Sequence, residues 1–151
     1  MSYDTIEAAA LTVLRLHADY SSTNTSRGDY RILGGGLTRG VVLTPSSVLA
    51  REVVAAPRQI RTVWVINIDL FISFTAVGGE QDKIADAIRA DRQNIIDQFD
   101  KYPTLNGATG IIHAIITSAL EPEKWTGQSR NWWSQRMQMQ VEERVQVSIA
   151  E

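Results

Sequence analysis

Between residues 60 and 76 the chain alternates with a period of two. Ile60, Trp64, Ile66, Ile68, Leu70, Ile72 and Phe74 hold the even positions, interrupted only by Thr62. Arg61, Val63, Val65, Asn67, Asp69, Phe71 and Ser73 hold the odd ones. Successive strand side chains point to opposite faces, so this predicts a long strand with one buried and one mixed face. Gly78-Gly79 is expected to end it. Residues 132–149 alternate again, with Trp133, Met137, Met139, Val141, Val145 and Val147 opposite Ser134, Arg136, Gln138, Gln140, Glu142, Arg144 and Gln146.

Elsewhere the period changes to that of a helix. Ile6, Ala10, Val13, Leu14 and His17 recur at three- and four-residue spacing and predict a helix from Tyr3 to about Tyr20. Ile84, Ala87, Ile88, Ile95 and Phe99 form the apolar stripe of a second helix, Glu80 to Phe99. Acids crowd its first turns, where they complement the helix dipole. It must stop before Pro103. Residues 110–120 form an isoleucine-rich run, apolar on both faces, which predicts a central strand.

Two stretches read as irregular. Ser21–Gly28 and Trp125–Arg130 are polar or turn-rich, hence loops. Val41-Val42-Leu43 is a short strand signal closed by Thr44-Pro45, and 46–57 shows no period. A connection of that length in a small domain is uncommon and tends to be functional.

The economical arrangement is one α+β domain, residues 1–151. It has about four mostly antiparallel strands, two helices packed on one face, and a long loop or extended hairpin arm between the first two strands. Size adds a constraint. A domain of this length has a diameter of roughly 40 Å. Straight strands at 60–76 and 132–149 would each exceed ~50 Å. They must bend or project past the core, and projecting edges carry unpaired backbone groups that seek partners.

Composition narrows the function classes. The chain is 44% hydrophobic with a formal net charge of −2, so it can build a core and has no bulk attraction for nucleic acid or membrane. It has no cysteine, which excludes disulfides and thiolate metal sites. No apolar run approaches the ~20 residues of a membrane helix, and the first residues lack a secretory pattern. The expectation is a protein made and used in a cytoplasm. Asn24-Thr25-Ser26 then reads as a polar loop despite matching a glycosylation sequon. Residues 27–61 hold Arg27, Arg31, Arg39, Arg51, Arg58 and Arg61 against Asp29 and Glu52. Such arginines are either a solvated face or interface residues suited to planar, bidentate contacts.

Candidate chemistry is sparse. Gly34-Gly35-Gly36-Leu37-Thr38-Arg39-Gly40 lacks the Gly-Lys-Ser/Thr ending of a phosphate loop and misses G-x-G-x-x-G by one residue. His17 and His113 have no carboxylate at ligand spacing, and no metal or cofactor is expected. Asp69 is the one carboxylate inside a strongly apolar run. It either faces solvent or pairs with an arginine of a neighbouring subunit, with a raised-pKa acid as the alternative. Trp125, Trp132 and Trp133 cluster without a basic patch, which favours core packing or a protein interface over base stacking. No catalytic set emerges, so the chain reads as a non-enzyme, with a small α+β enzyme or ligand-binding domain using Asp69 or His113 as the alternative.

One pattern spans most of the chain. An N-terminal helix precedes Val-Val-Leu-Thr-Pro, a long connection and Trp-Val-Ile-Asn-Ile-Asp-Leu-Phe. An acidic helix, the turn Tyr102-Pro103-Thr104-Leu105-Asn106-Gly107, an isoleucine strand and an amphipathic strand follow. This order resembles the tail terminator (tail completion) proteins of long-tailed bacteriophages. The resemblance implies a structural virion protein at the tail or neck, assembled in the host cytoplasm. It implies a homo-oligomer, a hexameric ring that caps the tail tube protein, ends its growth and offers a surface to the head-completion or connector protein. DNA would pass through the lumen without specific binding. On that reading Arg51, Arg58, Arg61, Asp69, Trp132, Arg136 and Arg144 are the candidate interface residues. A neck or head–tail connector protein, or a tube-like subunit, is the neighbouring alternative. The Gly- and Arg-rich stretch 27–45 departs from the family pattern.

Overall fold

The computed structural model describes residues 3–34, 37–54, 58–74, 81–128 and 130–146. Helix α1 (Tyr3–Leu14) leads to β1 (Thr25–Arg27) and a 3₁₀ turn, Tyr30–Leu33. Then come β2 (Arg39–Val54), β3 (Gln59–Ser73), α2 (Gln81–Lys101), β4 (Ile111–Ala119), β5 (Glu123–Gly127) and β6 (Arg130–Gln146). The six strands form one mixed sheet in the order β1-β2-β3-β6-β4, with β5 also paired to β6. Only β1–β2 is parallel. Gly78-Gly79, Gly35-Gly36 and Val147, assigned structural roles from sequence, lie outside the described residues.

The period-two reading of β3 decides where the core sits. Ile66, Ile68, Leu70 and Ile72 are buried on one face with Met137, Met139 and Val141 of β6 and Val41 and Leu43 of β2. Both helices close over this face, through Ile6, Ala10, Val13 and Leu14 of α1 and Ile84, Ile88, Ile95 and Phe99 of α2. At about 25 cal/mol per Å² of apolar surface removed from water, this cluster is the main source of stability. Gln98 joins the two helices by donating from its side-chain amide to the Val13 carbonyl at 2.8 Å. The second face carries a smaller core of Leu33, Val42, Phe71 and Trp132.

Four sequence expectations change. The sheet has six strands rather than about four, because β1 and β5 are short, polar segments that only backbone pairing to β2 and β6 defines. Residues 46–54 are the extended arm of β2 rather than a loop, paired along β3 as far as Val54↔Gln59. Register shifts between Pro45/Ser47 and Val48/Ala50 place an extra residue at Ser46 and at Leu49. Each bulge moves the following side chains to the opposite face and erases the period from the sequence. The isoleucine strand β4 is an edge strand, not a central one, and leaves Ile112 48% and Ile115 40% exposed. Finally, α1 ends at Leu14, and the chain to Tyr20 continues in turns. The imidazole of His17 there accepts from the Asp19 amide at 3.1 Å, a local bond that competes with the helix ladder.

The Tyr-Pro turn has a physical basis. Leu105, Asn106 and Gly107 all adopt left-handed backbone, with φ of 52°, 60° and 77°. Asparagine and glycine tolerate this region; leucine does not, and is held there by burial in the main core.

Candidate functional site

The odd positions of β3 and the even positions of β6 face away from the helices. At the end of this face nearest Ser73, Asp69 and Arg136 are direct cross-strand partners. The guanidinium of Arg136 donates from Nε to Asp69 Oδ1 at 2.7 Å and from Nη2 to Oδ2 at 3.0 Å. Tyr30, on the 3₁₀ turn, donates its hydroxyl to the same Oδ2 at 3.1 Å. The Asp69 side chain is 5% exposed and that of Arg136 43%. A buried carboxylate is thus neutralised by a half-exposed, bidentate partner.

Above this pair opens a cleft of about 400 Å³. Its walls include the rings of Tyr30, Phe71 and Trp125, and Glu121 and Glu123 stand on its rim. Phe71 meets Trp125 edge-on at 5.0 Å between centroids and Tyr30 at 6.0 Å. Burial, followed by the neighbouring Asp69 charge, pushes the Tyr30 hydroxyl above its ordinary pKa, so it stays a donor. The hydrogen bond to Asp69 is the largest influence holding the Arg136 guanidinium protonated. Three carboxylates face one guanidinium, which leaves the lining two negative charges in excess. Both Asp69 oxygens are already engaged, so the cleft has the character of an aromatic, acid-rimmed recess for a cation.

At the other end of β3 lies the arm. Beyond Pro45 the β2 side chains are exposed almost throughout, including Val48 at 44%, Leu49 at 60% and Val53 at 70%. Among the described residues only β3 pairs with this half of β2, because β1 reaches no further than Leu43. No described residue therefore pairs with the outer backbone edge along the arm. Arg51 and Arg58 are exposed there, and Arg51 shows no carboxylate partner among the described residues. Arg61 and Arg144, directly opposed like charges, are held by Glu142, which Arg61 Nε contacts closely and which lies 3.7 Å from Arg144. Arg61 also reaches Glu52 at 3.0 Å, and its hydrogen bond to Glu142 is the main influence raising its pKa.

The seven interface candidates thus fall into three groups. Asp69 and Arg136 meet in the cleft, and the arginine that pairs with Asp69 belongs to the same chain, not to a neighbour. Arg51, Arg58, Arg61 and Arg144 lie along the arm and its base. Trp132 is fully buried in the second core, under the Arg130 guanidinium at 4.7 Å. His113 sits exposed on the β4 edge. Sequence reasoning missed Tyr30, Glu121 and Glu123. The odd-position neighbours Asp69 and Phe71 marked this face, but no local signal could bring the 3₁₀ turn and β5 over it.

No family model matches the chain, and no curated protein is similar to it. A solved chain bearing no functional name aligns with 100% of this chain and 99% of its own length, at 16% identity and a TM-score of 0.41. At that TM-score the likeness extends to neither fold nor function.

Proposed function

We propose that this chain is a ring-forming structural protein of a long-tailed bacteriophage, a tail terminator that caps the tail tube and presents a docking surface to the head connector. The observation that carries this reading is the β2–β3 arm. Its outer strand, β2 beyond Pro45, is the open edge of a sheet whose β3 and β6 continue beneath it, and it leaves Val48, Leu49 and Val53 exposed beside arginines. Exposed apolar residues on an open strand edge invite association with another chain, and a soluble monomer normally blunts such an edge. The element order and the Tyr102-to-Gly107 turn, shared in pattern with the tail terminators, support this particular assembly. In a ring, the arm and the open edges would meet neighbouring subunits, and the remaining faces would serve tube and connector.

Mass photometry and negative-stain electron microscopy of the purified protein test the ring. Discrete closed oligomers, formed alone or on added tail tubes, are expected. A strict monomer that also ignores tail tubes refutes the proposal. Removing the gene from its phage separates terminator from connector. Overlong tails are the expected result, whereas normal tails that fail to join heads point to a connector instead.

A further inference from the structure

The arm and the cleft are complementary to each other and cannot meet within one molecule. Arg51 pairs in register with Thr62, a residue of the helix-side face, and the bulge at Leu49 sets that orientation. The cleft lies on the opposite face, around Asp69 and Phe71. Thr62 and Phe71 are nine positions apart on β3, roughly 30 Å along a strand. A knob and a recess on opposite faces and ends of one rigid sheet define a head-to-tail contact between copies.

We infer that the cleft of one copy receives Arg51 from the arm of the next copy. The inference rests on the self-association proposed above and names its contact. Arg51 is exposed, lacks an acidic partner among the described residues, and is flanked on its own face by Val48 and Val53. The recess offers what such a side chain requires. The rings of Tyr30, Phe71 and Trp125 present aromatic faces and edges, against which a guanidinium gains more than in water. Glu121 and Glu123 at the rim supply carboxylates for its donors. Leu120, 56% exposed beside them, gives the flanking valines an apolar surface. The Arg136 charge in the wall is balanced by Asp69, which accepts from its Nε and Nη2, so the two rim carboxylates remain in excess. An arginine set between apolar neighbours and entering an aromatic pocket is the composition of an interface hot spot. Repeated head-to-tail, the contact closes a ring or extends a helix, according to its rotation.

The test uses charge reversal in the full-length protein, read by mass photometry. The substituted side chains are all exposed, so circular dichroism and melting should match the wild type. R51E and the pair E121K/E123K should each weaken association by at least about tenfold. The triple variant R51E/E121K/E123K should reassemble, because Glu at the knob then meets Lys at the rim. Mixing R51E with E121K/E123K should restore assembly with the two variants alternating, because Arg51 of one meets the native rim of the other and the introduced Glu meets the introduced Lys. If wild type and R51E assemble equally, or the triple variant stays dispersed, this contact is wrong and the ring proposal stands. Dispersal by R58E with R51E unaffected also overturns it, by naming the other arm arginine. A wild type that remains monomeric, alone and with tail tubes, overturns both proposals together.

Discussion

Asp69 and Arg136 face each other across β3 and β6 as a register pair with two parallel hydrogen bonds, at 2.7 and 3.0 Å. The two partners differ in burial, 5% against 43% exposed. That difference makes their removal unequal. Arg136→Ala strands a buried carboxylate with Tyr30 as its remaining donor, and should cost on the order of 3 kcal/mol. Asp69→Ala leaves a guanidinium that can swing into solvent, and should cost about 1–2 kcal/mol. Urea unfolding of both variants checks the order. Equal losses would mean that Asp69 is rehydrated when the arginine goes.

The arm predicts a separation of stability from assembly. Val48 and Val53 are exposed, so Val48→Ser with Val53→Ser should leave unfolding free energy within about 0.5 kcal/mol of the parent. The same double variant should associate more weakly in mass photometry. A large loss of stability would instead place these valines in the chain's own core.

A buried acid gives the pH dependence a sign. Asp91 is 3% exposed, with Arg39 Nε 3.3 Å away but misaligned for a hydrogen bond. Burial is the largest influence and raises its pKa, and the Arg39 charge only partly opposes this. The folded state therefore holds the proton more firmly than the unfolded state. The stability contributed by this proton is full below the ordinary aspartate value. It is lost as pH climbs from that value through the raised one. Asp91→Asn keeps the shape and removes the titration. Melting temperatures of the two proteins should diverge across that window, with the variant gaining relative to wild type as pH rises. Parallel curves would show that Asp91 titrates normally in the fold.

The turn after α2 should be sensitive to a single methyl group. Gly107 has φ of 77°, and a Cβ there meets nothing within 4 Å. Gly107→Ala therefore carries backbone strain without a clash, about 1 kcal/mol. Leu105→Ala removes a buried anchor of the main core and should cost about 2–4 kcal/mol, although it also eases a side chain out of left-handed backbone. Thermal unfolding distinguishes the two.

Local periodicity made much of the molecule legible. The odd–even split of β3 assigned its buried face before any neighbour was known, and the stripe of α2 did the same for Ile84, Ile88, Ile95 and Phe99. The same reasoning failed on β4, whose unbroken apolar run looks like a central strand. Its place at the edge depends on which strand β6 pairs with, a long-range fact. It failed on 46–54 because bulges at Ser46 and Leu49 reset the phase twice within a few residues.

Local patterning alone specified both helices, the strand character of 60–73 and 132–146, and much of the helix-facing core. Each follows from side-chain direction along one segment, which needs no knowledge of the rest. Three-dimensional packing is what brings Tyr30, Phe71, Trp125, Glu121 and Glu123 into one cleft, satisfies Asp69 within its own chain and sets Arg51 on the opposite face. Those relations join residues as far as 95 positions apart, from Tyr30 to Trp125. They are set by strand order and register, which hydrogen bonds between distant segments fix and no local pattern encodes.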